Sequence, residues 1–194
     1  MAKQITKERI IIEGARIVHE KGFNNTGIHE ILQAANVPKG SFYFYFASKE
    51  EFGLNILDYH NSLVRQWMAQ HLEESGLSPL ASLRAFFEGL CQKHETTGCH
   101  GGCPIGNLAQ EMADLSDAFR AKAEEALTAM RDTFARCLEA ARQRGEIDPT
   151  TDPLETADFL LNSWEGALLR MKAQKDVKAL EIFCRTIFGR VLKE

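Results

Sequence analysis

Two cysteines and a histidine stand close together in the middle of the chain, in the stretch Thr96–Asn107 (TTGCHGGCPIGN). The thiols belong to Cys99 and Cys103, and His100 lies between them. A thiolate is a strong nucleophile, and thiolate and imidazole are both ligands of zinc and copper(I). The segment is therefore a candidate for a reactive-thiol site or for a metal site.

Cys103 is the cysteine whose surroundings best suit a reactive thiol. Pro104 follows it, and proline is favoured at the first position of a helix, so Cys103 is predicted to be the N-cap residue. Unpaired N–H groups and the helix dipole favour the thiolate form there. The neighbouring glycines leave space for a small electrophile, and Cys99 could trap an oxidised Cys103 as a disulfide.

Two alternatives to a reactive thiol remain open for this segment. Cys99, His100 and Cys103 could hold zinc or copper(I), although their spacing matches no standard closed zinc site. The segment could also be a flexible connection beside a pocket for a noncovalent effector. Apart from this metal alternative, the sequence predicts no cofactor.

The composition is that of an ordinary globular protein, with 44% hydrophobic and 26% charged residues among 194. No apolar run is long enough to cross a membrane, and the N-terminus lacks the apolar core of a signal peptide. Five cysteines, an odd number, favour reduced thiols. The sequence therefore predicts a cytoplasmic protein without a membrane partner.

Charge is unevenly distributed along the chain. Residues 1–49 contain seven Lys or Arg against four Glu, whereas the net charge of the whole chain is −4. The remainder thus carries an excess of seven negative charges. A basic N-terminal quarter on an acidic body is expected if one end of the chain meets a polyanion.

Apolar residues recur at helical spacing through nearly the whole chain, which predicts an all-α protein of about nine helices. The last two helices, from Pro153 onward, have wide apolar faces that suit either a dimer interface or a thick monomeric core. Trp164 lies on one of these faces, and packing is its favoured role.

Two short helices near the N-terminus are joined by a tight turn. The first is predicted over Ile28–Ala35, and Asn36–Pro38 breaks it. The second is predicted over Lys39–Phe46, where Phe42 and Phe46 are four residues apart and should pack inward. This arrangement is typical of a helix-turn-helix.

Residues 37–52, VPKGSFYFYFASKEEF, resemble the DNA-binding signature of the TetR family of bacterial transcriptional repressors. The resemblance implies a DNA-binding homodimer and not an enzyme. The two recognition helices of the dimer are expected to sit about 34–36 Å apart on a palindromic double-stranded DNA operator. It also implies release from the operator by a small-molecule effector. The domains implied are a helix-turn-helix domain over residues 1–50 and an effector-binding and dimerisation domain over residues 51–194. The DNA-binding residues implied are His29, Lys39, Gly40, Ser41, Tyr43, Tyr45 and Lys49. Many members have Ser or Thr where this chain has Gly27, so one phosphate contact is expected to be lost.

The segment GGCPIGNLAQEM, from Gly101 to Met112, is similar to that of the electrophile-responsive, N-ethylmaleimide-sensing branch of the family. The similarity implies that Cys103 is the sensor of a reactive electrophile or an oxidant. It also implies that Lys172 is an amine able to crosslink with the sensor. The effector-side residues predicted are Cys103, Cys99, Lys172 and Trp164.

Overall fold

The computed structural model describes residues 2–192, and within this range it is helical throughout. It contains nine α-helices, one 3-10 turn at Lys39–Ser41 and two π-helical turns at Ala69–Glu73 and Ile187–Val191. The prediction of an all-α chain of about nine helices is confirmed. The α-helices are α1 Ala2–Lys21, α2 Ile28–Ala34, α3 Phe42–Tyr45, α4 Lys49–Met68, α5 Pro79–Thr96, α6 Pro104–Met112, α7 Asp117–Gln143, α8 Pro153–Gln174 and α9 Lys178–Thr186.

The chain divides into two compact units that are not continuous in sequence. The first comprises the described residues up to Leu63 together with Pro104–Ala126. The second comprises Val64–Cys103 together with the described residues from Leu127 onward. Helix α6 is therefore packed in the same unit as the helix-turn-helix. The functional division at residue 50 stays a prediction.

Side-chain caps fix where the helices begin. The Ser48 hydroxyl accepts a hydrogen bond from the Glu51 N–H (3.0 Å), and the Glu51 carboxylate accepts one from the Ala47 N–H (2.6 Å). This reciprocal arrangement satisfies donors at the start of α4. At α8, Asp152 is the N-cap and Pro153 the first helical residue. Local chemistry therefore explains why α4 begins directly after Ser48 and why α8 begins at Pro153.

Aromatic side chains form the core of the first unit. Phe42, Phe46 and Phe52 are buried, with ring centres 5.0–5.4 Å apart. The inward packing predicted for Phe42 and Phe46 is therefore confirmed. Gly14 of α1 is required beside this cluster, because a Cβ there would lie 2.3 Å from the Phe52 ring.

The core of the second unit is centred on Phe87 of α5. Its ring contacts the rings of Phe134, Trp164 and Phe183, with centres 4.9–5.3 Å apart. Trp164 is 4% exposed, which fits the packing role favoured from the sequence. These rings tie α5 to α7, α8 and α9.

His60 of α4 is a half-buried histidine beside His19 of α1, with ring centres 6.0 Å apart. Burial, followed by the charge of His19, lowers the pKa of His60 from 6.5 to about 4. The neutral form is therefore the one that the fold accommodates. Because the folded pKa lies below the unfolded one, the stabilisation is complete above pH 6.5 and is lost as the pH falls towards 4.

We expect the free energy of unfolding to fall by about 2 kcal/mol through His60 alone between pH 7.5 and pH 5. Urea unfolding at the two pH values measures this loss, and His60→Gln should show a smaller loss than the native protein. His29→Gln, at an exposed histidine, is the control and should keep the native pH dependence. Equal losses in the native protein and His60→Gln would contradict the assignment.

Candidate functional site

The helix-turn-helix occupies residues 28–45 of the first unit. Its turn is closed by the Val37 N–H, which donates to the Leu32 carbonyl (2.9 Å), and Asn36 adopts a left-handed conformation (φ 51°). Asparagine tolerates this conformation better than most residues. The second helix differs from the continuous helix predicted over residues 39–46. It is a 3-10 turn followed by the single turn of α3. Gly40 is a poor helix former, which favours the 3-10 turn, and inward packing of the phenylalanines stabilises the turn of α3.

Helix α3 presents an aromatic face to solvent opposite its buried face. Tyr43 is 70% exposed and Phe44 64% exposed, and Lys39 is exposed in the preceding turn. Exposed phenol and ammonium groups at the start of a recognition helix suit contacts to phosphates and base edges. Of the other predicted DNA-binding residues, His29 and Gly40 are exposed and Ser41 and Tyr45 are partly buried.

A basic residue of the N-terminal helix lies against this face. The Lys3 ammonium is 4.0 Å from the centre of the Phe44 ring, within the range of a cation–π contact. Neither Lys3 nor Phe44 is among the DNA-binding residues predicted from the sequence. The only sequence signals for this pair were the basic N-terminus and an aromatic residue without an inward partner.

Lys49, predicted to contact DNA, is also engaged within its own unit. Its ammonium donates to the Phe23 carbonyl (2.8 Å) and lies 4.7 Å from the centre of the Phe23 ring. Burial lowers the pKa of Lys49, while the charge of Glu111 acts in the opposite direction. A phosphate contact from Lys49 stays a prediction.

Glu111 of α6 joins this helix to the corner that follows α1. Its carboxylate accepts hydrogen bonds from the Phe23 N–H (2.7 Å) and the Asn24 N–H (2.6 Å). The Asn24 amide in turn donates to the Met112 sulfur (3.5 Å). Sequence reasoning missed Glu111, because no local pattern reveals a contact across nearly ninety residues.

The cysteine-containing segment forms a compact loop between α5 and α6. Gly98, Cys99, Gly101 and Gly102 all have positive φ, between 58° and 83°. Three of these positions are glycine, which adopts such conformations without steric cost. Cys99 adopts one as a buried non-glycine residue, with its N–H bonded to the His94 carbonyl (2.8 Å). The loop therefore has a definite backbone conformation.

An amine from α8 holds this loop. The Lys175 ammonium donates to the Cys99 carbonyl (3.4 Å) and lies 3.2 Å from Nδ1 of His100. Lys175 is the C-cap of α8 and has a left-handed conformation (φ 55°). The predicted amine, Lys172, is exposed on the last turn of α8. Sequence reasoning missed Lys175, although it stands only three residues further along.

Cys103 ends the loop, and Pro104 is the first residue of α6, as the proline rule predicts. The half-buried Cys103 thiol forms a hydrogen bond with the carboxyl group of Glu165 on α8. Burial raises the pKa of Glu165, and the hydrogen bond from Cys103 opposes that rise. A nucleophile and a proton acceptor are therefore adjacent in the second unit.

The metal alternative finds no support in the placement of side chains. Over residues 2–192, no three or more His, Cys, Asp or Glu side chains are arranged to hold a metal ion. Cys99, His100 and Cys103 are included in that range. The same part of the chain contains no helix of the length and apolarity needed to span a membrane.

A helix-turn-helix with an exposed aromatic and basic face, in a chain that is otherwise built from packed helices, is the arrangement of a DNA-binding regulator. Residues 10–54 match the family of bacterial regulatory proteins named for TetR. Residues 79–187 match the tetracycline-repressor-like C-terminal domain. The chain belongs to the TetR family and is a transcriptional repressor of that family.

Individual relatives agree with this assignment over nearly the whole chain. The sequence is 37% identical over 186 residues to the transcriptional regulator AcuR of Cereibacter sphaeroides, covering 96% of this chain and 84% of AcuR. It is 29% identical over 176 residues to the repressor NemR of Escherichia coli, covering 91% and 88%. The crystal structure of reduced NemR matches with a TM-score of 0.88 at 28% identity, covering 95% of each chain. These matches support the similarity to the electrophile-responsive branch of the family that the sequence predicts.

Gly27 is the N-cap of α2 and makes no side-chain cap, and a Cβ there would meet no atom within 4 Å. We expect Gly27→Ser to raise operator affinity by about 3- to 10-fold, because the hydroxyl restores a hydrogen bond to phosphate. Fluorescence anisotropy on a duplex selected by the protein from a random library measures this. Gly27→Ala is the matched control, and equal affinities for the two variants would refute the contact.

Proposed function

We propose that this protein is a homodimeric, cytoplasmic repressor that is released from a palindromic operator when a reactive electrophile modifies Cys103. The single observation that carries the proposal is the hydrogen bond between the Cys103 thiol and Glu165. It pairs a nucleophile with a proton acceptor next to a glycine-rich loop. The similarity of the segment around Cys103 to the electrophile-responsive branch supports the same assignment.

The pair suits addition of the thiol to an α,β-unsaturated carbonyl compound. The Cys103 sulfur forms a bond to the β-carbon as the carbon–carbon double bond opens, and the ionised Glu165 carboxylate takes up the thiol proton. The α-carbon then receives a proton, so that the product is a thioether and no leaving group is needed. Burial makes Glu165 a stronger base by raising its pKa, which favours this transfer.

Modification at Cys103 reaches the DNA-binding unit through α6. Pro104, covalently attached to Cys103, is the first residue of this helix. Glu111, two turns further along, holds the backbone N–H groups of Phe23 and Asn24. A shift of α6 that stretches these two hydrogen bonds changes the position of the corner leading into α2, and with it the helix-turn-helix.

Helices α8 and α9 are the proposed dimer interface. Both carry large apolar side chains at the surface, of which Phe159 is 51%, Leu169 55% and Ile182 45% exposed. Exposed apolar side chains along the two C-terminal helices are expected where a second copy packs against them. The TetR-family assignment supports a homodimer of this kind.

A noncovalent effector is the second candidate, and it is favoured by the same carboxyl group. Oε1 of Glu165 is buried without a hydrogen-bond partner in the described part of the chain. A small ligand that donates a hydrogen bond to this oxygen would satisfy it. The two candidates differ in whether Cys103 is needed for release.

We expect stoichiometric N-ethylmaleimide to release the native protein from its selected DNA duplex, and Cys103→Ser to remain bound. Glu165→Gln should slow alkylation of Cys103 by about 10- to 100-fold, because the proton acceptor is lost. Peptide mass spectrometry gives the rate, and fluorescence anisotropy gives the release. Cys137→Ser is the control, because burial raises the pKa of Cys137 to about 11 and should keep it unreactive.

Normal release of Cys103→Ser by the same reagent would refute the covalent mechanism and favour a reversible ligand. Equal alkylation rates in the native protein and Glu165→Gln would remove Glu165 from the mechanism while leaving Cys103 as the sensor.

We expect Phe159→Glu to convert the dimer into a monomer, because a buried charge opposite a second copy is costly. Light scattering after size exclusion should give twice the 21.8 kDa chain mass for the native protein and the single-chain mass for the variant. Leu115→Glu, at a surface leucine outside α8 and α9, is the matched control and should remain dimeric. A dimeric Phe159→Glu protein would place the interface elsewhere.

A further inference from the structure

A second pair of thiols lies in the C-terminal unit, apart from the loop that carries Cys103. Cys91 is on α5 and Cys184 is on α9, and their sulfur atoms are 3.5 Å apart. Both side chains are half-buried thiols, so each is packed among other residues and remains open to a small reagent. The two positions are separated by 93 residues in sequence, and only the folded chain brings them together.

The packing of α5 against α9 holds the two sulfur atoms in this position. Phe87, one turn before Cys91, contacts Phe183, the residue before Cys184, with ring centres 4.9 Å apart. Phe87 also lies 6.2 Å from the ring of Phe188, one turn after Cys184. Aromatic contacts on both sides of Cys184 therefore fix the register of the two helices at the thiol pair.

The two sulfur atoms are chemically different from each other. A hydrogen bond from the Cys184 thiol lowers the pKa of Cys91, and this outweighs burial and the charges of Glu181 and Glu88, which act in the opposite direction. The pKa of Cys184 is raised, chiefly because its proton is shared with Cys91 and further by burial. The contact between the two sulfur atoms lets one thiol act as a nucleophile while the other keeps the proton, and we take Cys91 as the attacking sulfur.

We propose that Cys91 and Cys184 form a redox site at which peroxide-class oxidants produce a disulfide within one subunit, linking α5 to α9. The Cys91 thiolate attacks one peroxide oxygen, the O–O bond breaks, and the product is a sulfenic acid with release of hydroxide, which takes up a proton. The Cys184 sulfur then attacks the Cys91 sulfur, the S–O bond breaks, and water leaves. In total two thiols and hydrogen peroxide give one disulfide and two water molecules.

This site is independent of Cys103, and its chemistry is different. The Cys103–Glu165 pair favours addition of carbon electrophiles, because a base takes up the proton and the sulfur keeps the new substituent. The Cys91–Cys184 pair favours two-electron oxidation, because a second sulfur stands within reach of the first. Thiol–disulfide exchange with a reducing dithiol reverses this product, whereas a thioether on Cys103 is not reversed in that way.

The test treats the reduced, full-length native protein with hydrogen peroxide, blocks the remaining thiols with iodoacetamide and maps tryptic peptides without reduction. Residues 85–93 contain Cys91 and residues 179–185 contain Cys184, whereas Cys99 and Cys103 share a third peptide. We expect a crosslinked species of the first two peptides that dithiothreitol abolishes. The oxidised protein should also unfold several degrees higher, because the disulfide restricts the unfolded chain.

Variants separate this proposal from the function proposed for Cys103. A protein with both Cys99→Ser and Cys103→Ser should still form the Cys91–Cys184 disulfide, even if Cys103 proves to have no sensing role. Cys184→Ser should lose the crosslinked peptide, and Cys137→Ser, the matched control, should retain it. Recovery of Cys91 as a thiol or as a sulfinic acid beside a reduced Cys184 would overturn the proposal. Pairing of Cys91 with Cys99 or Cys103 would overturn it equally.

Discussion

The carboxylate of Glu111 is the interaction on which the arrangement of the DNA-binding unit depends. It accepts two backbone N–H groups at the corner between α1 and α2, and Lys49 binds the carbonyl of the same Phe23. Hydrogen bonds of backbone N–H groups to a carboxylate are each worth about 1–2 kcal/mol when partly buried. Helices α1, α4 and α6 are thus joined at one short segment of backbone. A displacement of α6 would therefore act on the corner between α1 and α2 through the Glu111 side chain.

The loop before α6 determines where that helix begins. Left-handed glycines turn the chain back, Lys175 holds the Cys99 carbonyl, and Pro104 then starts the helix. A definite loop places Cys103 beside Glu165, so a substituent on its sulfur would have to be accommodated within the second unit. The flexible-loop alternative drawn from the glycine content is less consistent with the hydrogen bonds at Cys99 and with the contact of Lys175.

Local chemistry made much of the fold predictable from the sequence. The cap at Ser48, the proline at the start of α6 and the inward packing of Phe42 and Phe46 depend on residues within one or two turns, and the structure contains all of them. The contacts of Glu111 and the pairing of Cys91 with Cys184 could not be predicted. They join residues 87 to 93 positions apart, and only the crossing of packed helices determines which side chains meet.

The two lysines at the end of α8 show that the exact end of a helix limits the prediction of contacts from sequence. Lys172 is still within the helix, whereas Lys175 is its left-handed C-cap, and this change of backbone direction carries the Lys175 amine to the loop. A sequence motif can indicate that an amine belongs near the sensor, but the exact end of the helix decides which lysine reaches the loop. The same limit applies to Cys184, because no local pattern indicates that this half-buried thiol contacts Cys91.

The cysteines differ in chemistry because their neighbours differ. The Cys137 thiol donates to the Pro79 carbonyl (3.1 Å) and is buried, which raises its pKa to about 11 and keeps it protonated. Cys103 has a carboxyl group beside it, and Cys91 has a second thiol. A base takes up the thiol proton as the sulfur attacks a carbon electrophile, and a second sulfur favours closure of a disulfide. Both pairs lie in the C-terminal unit, and under the two proposals the repressor would distinguish carbon electrophiles from peroxides by which pair of side chains reacts.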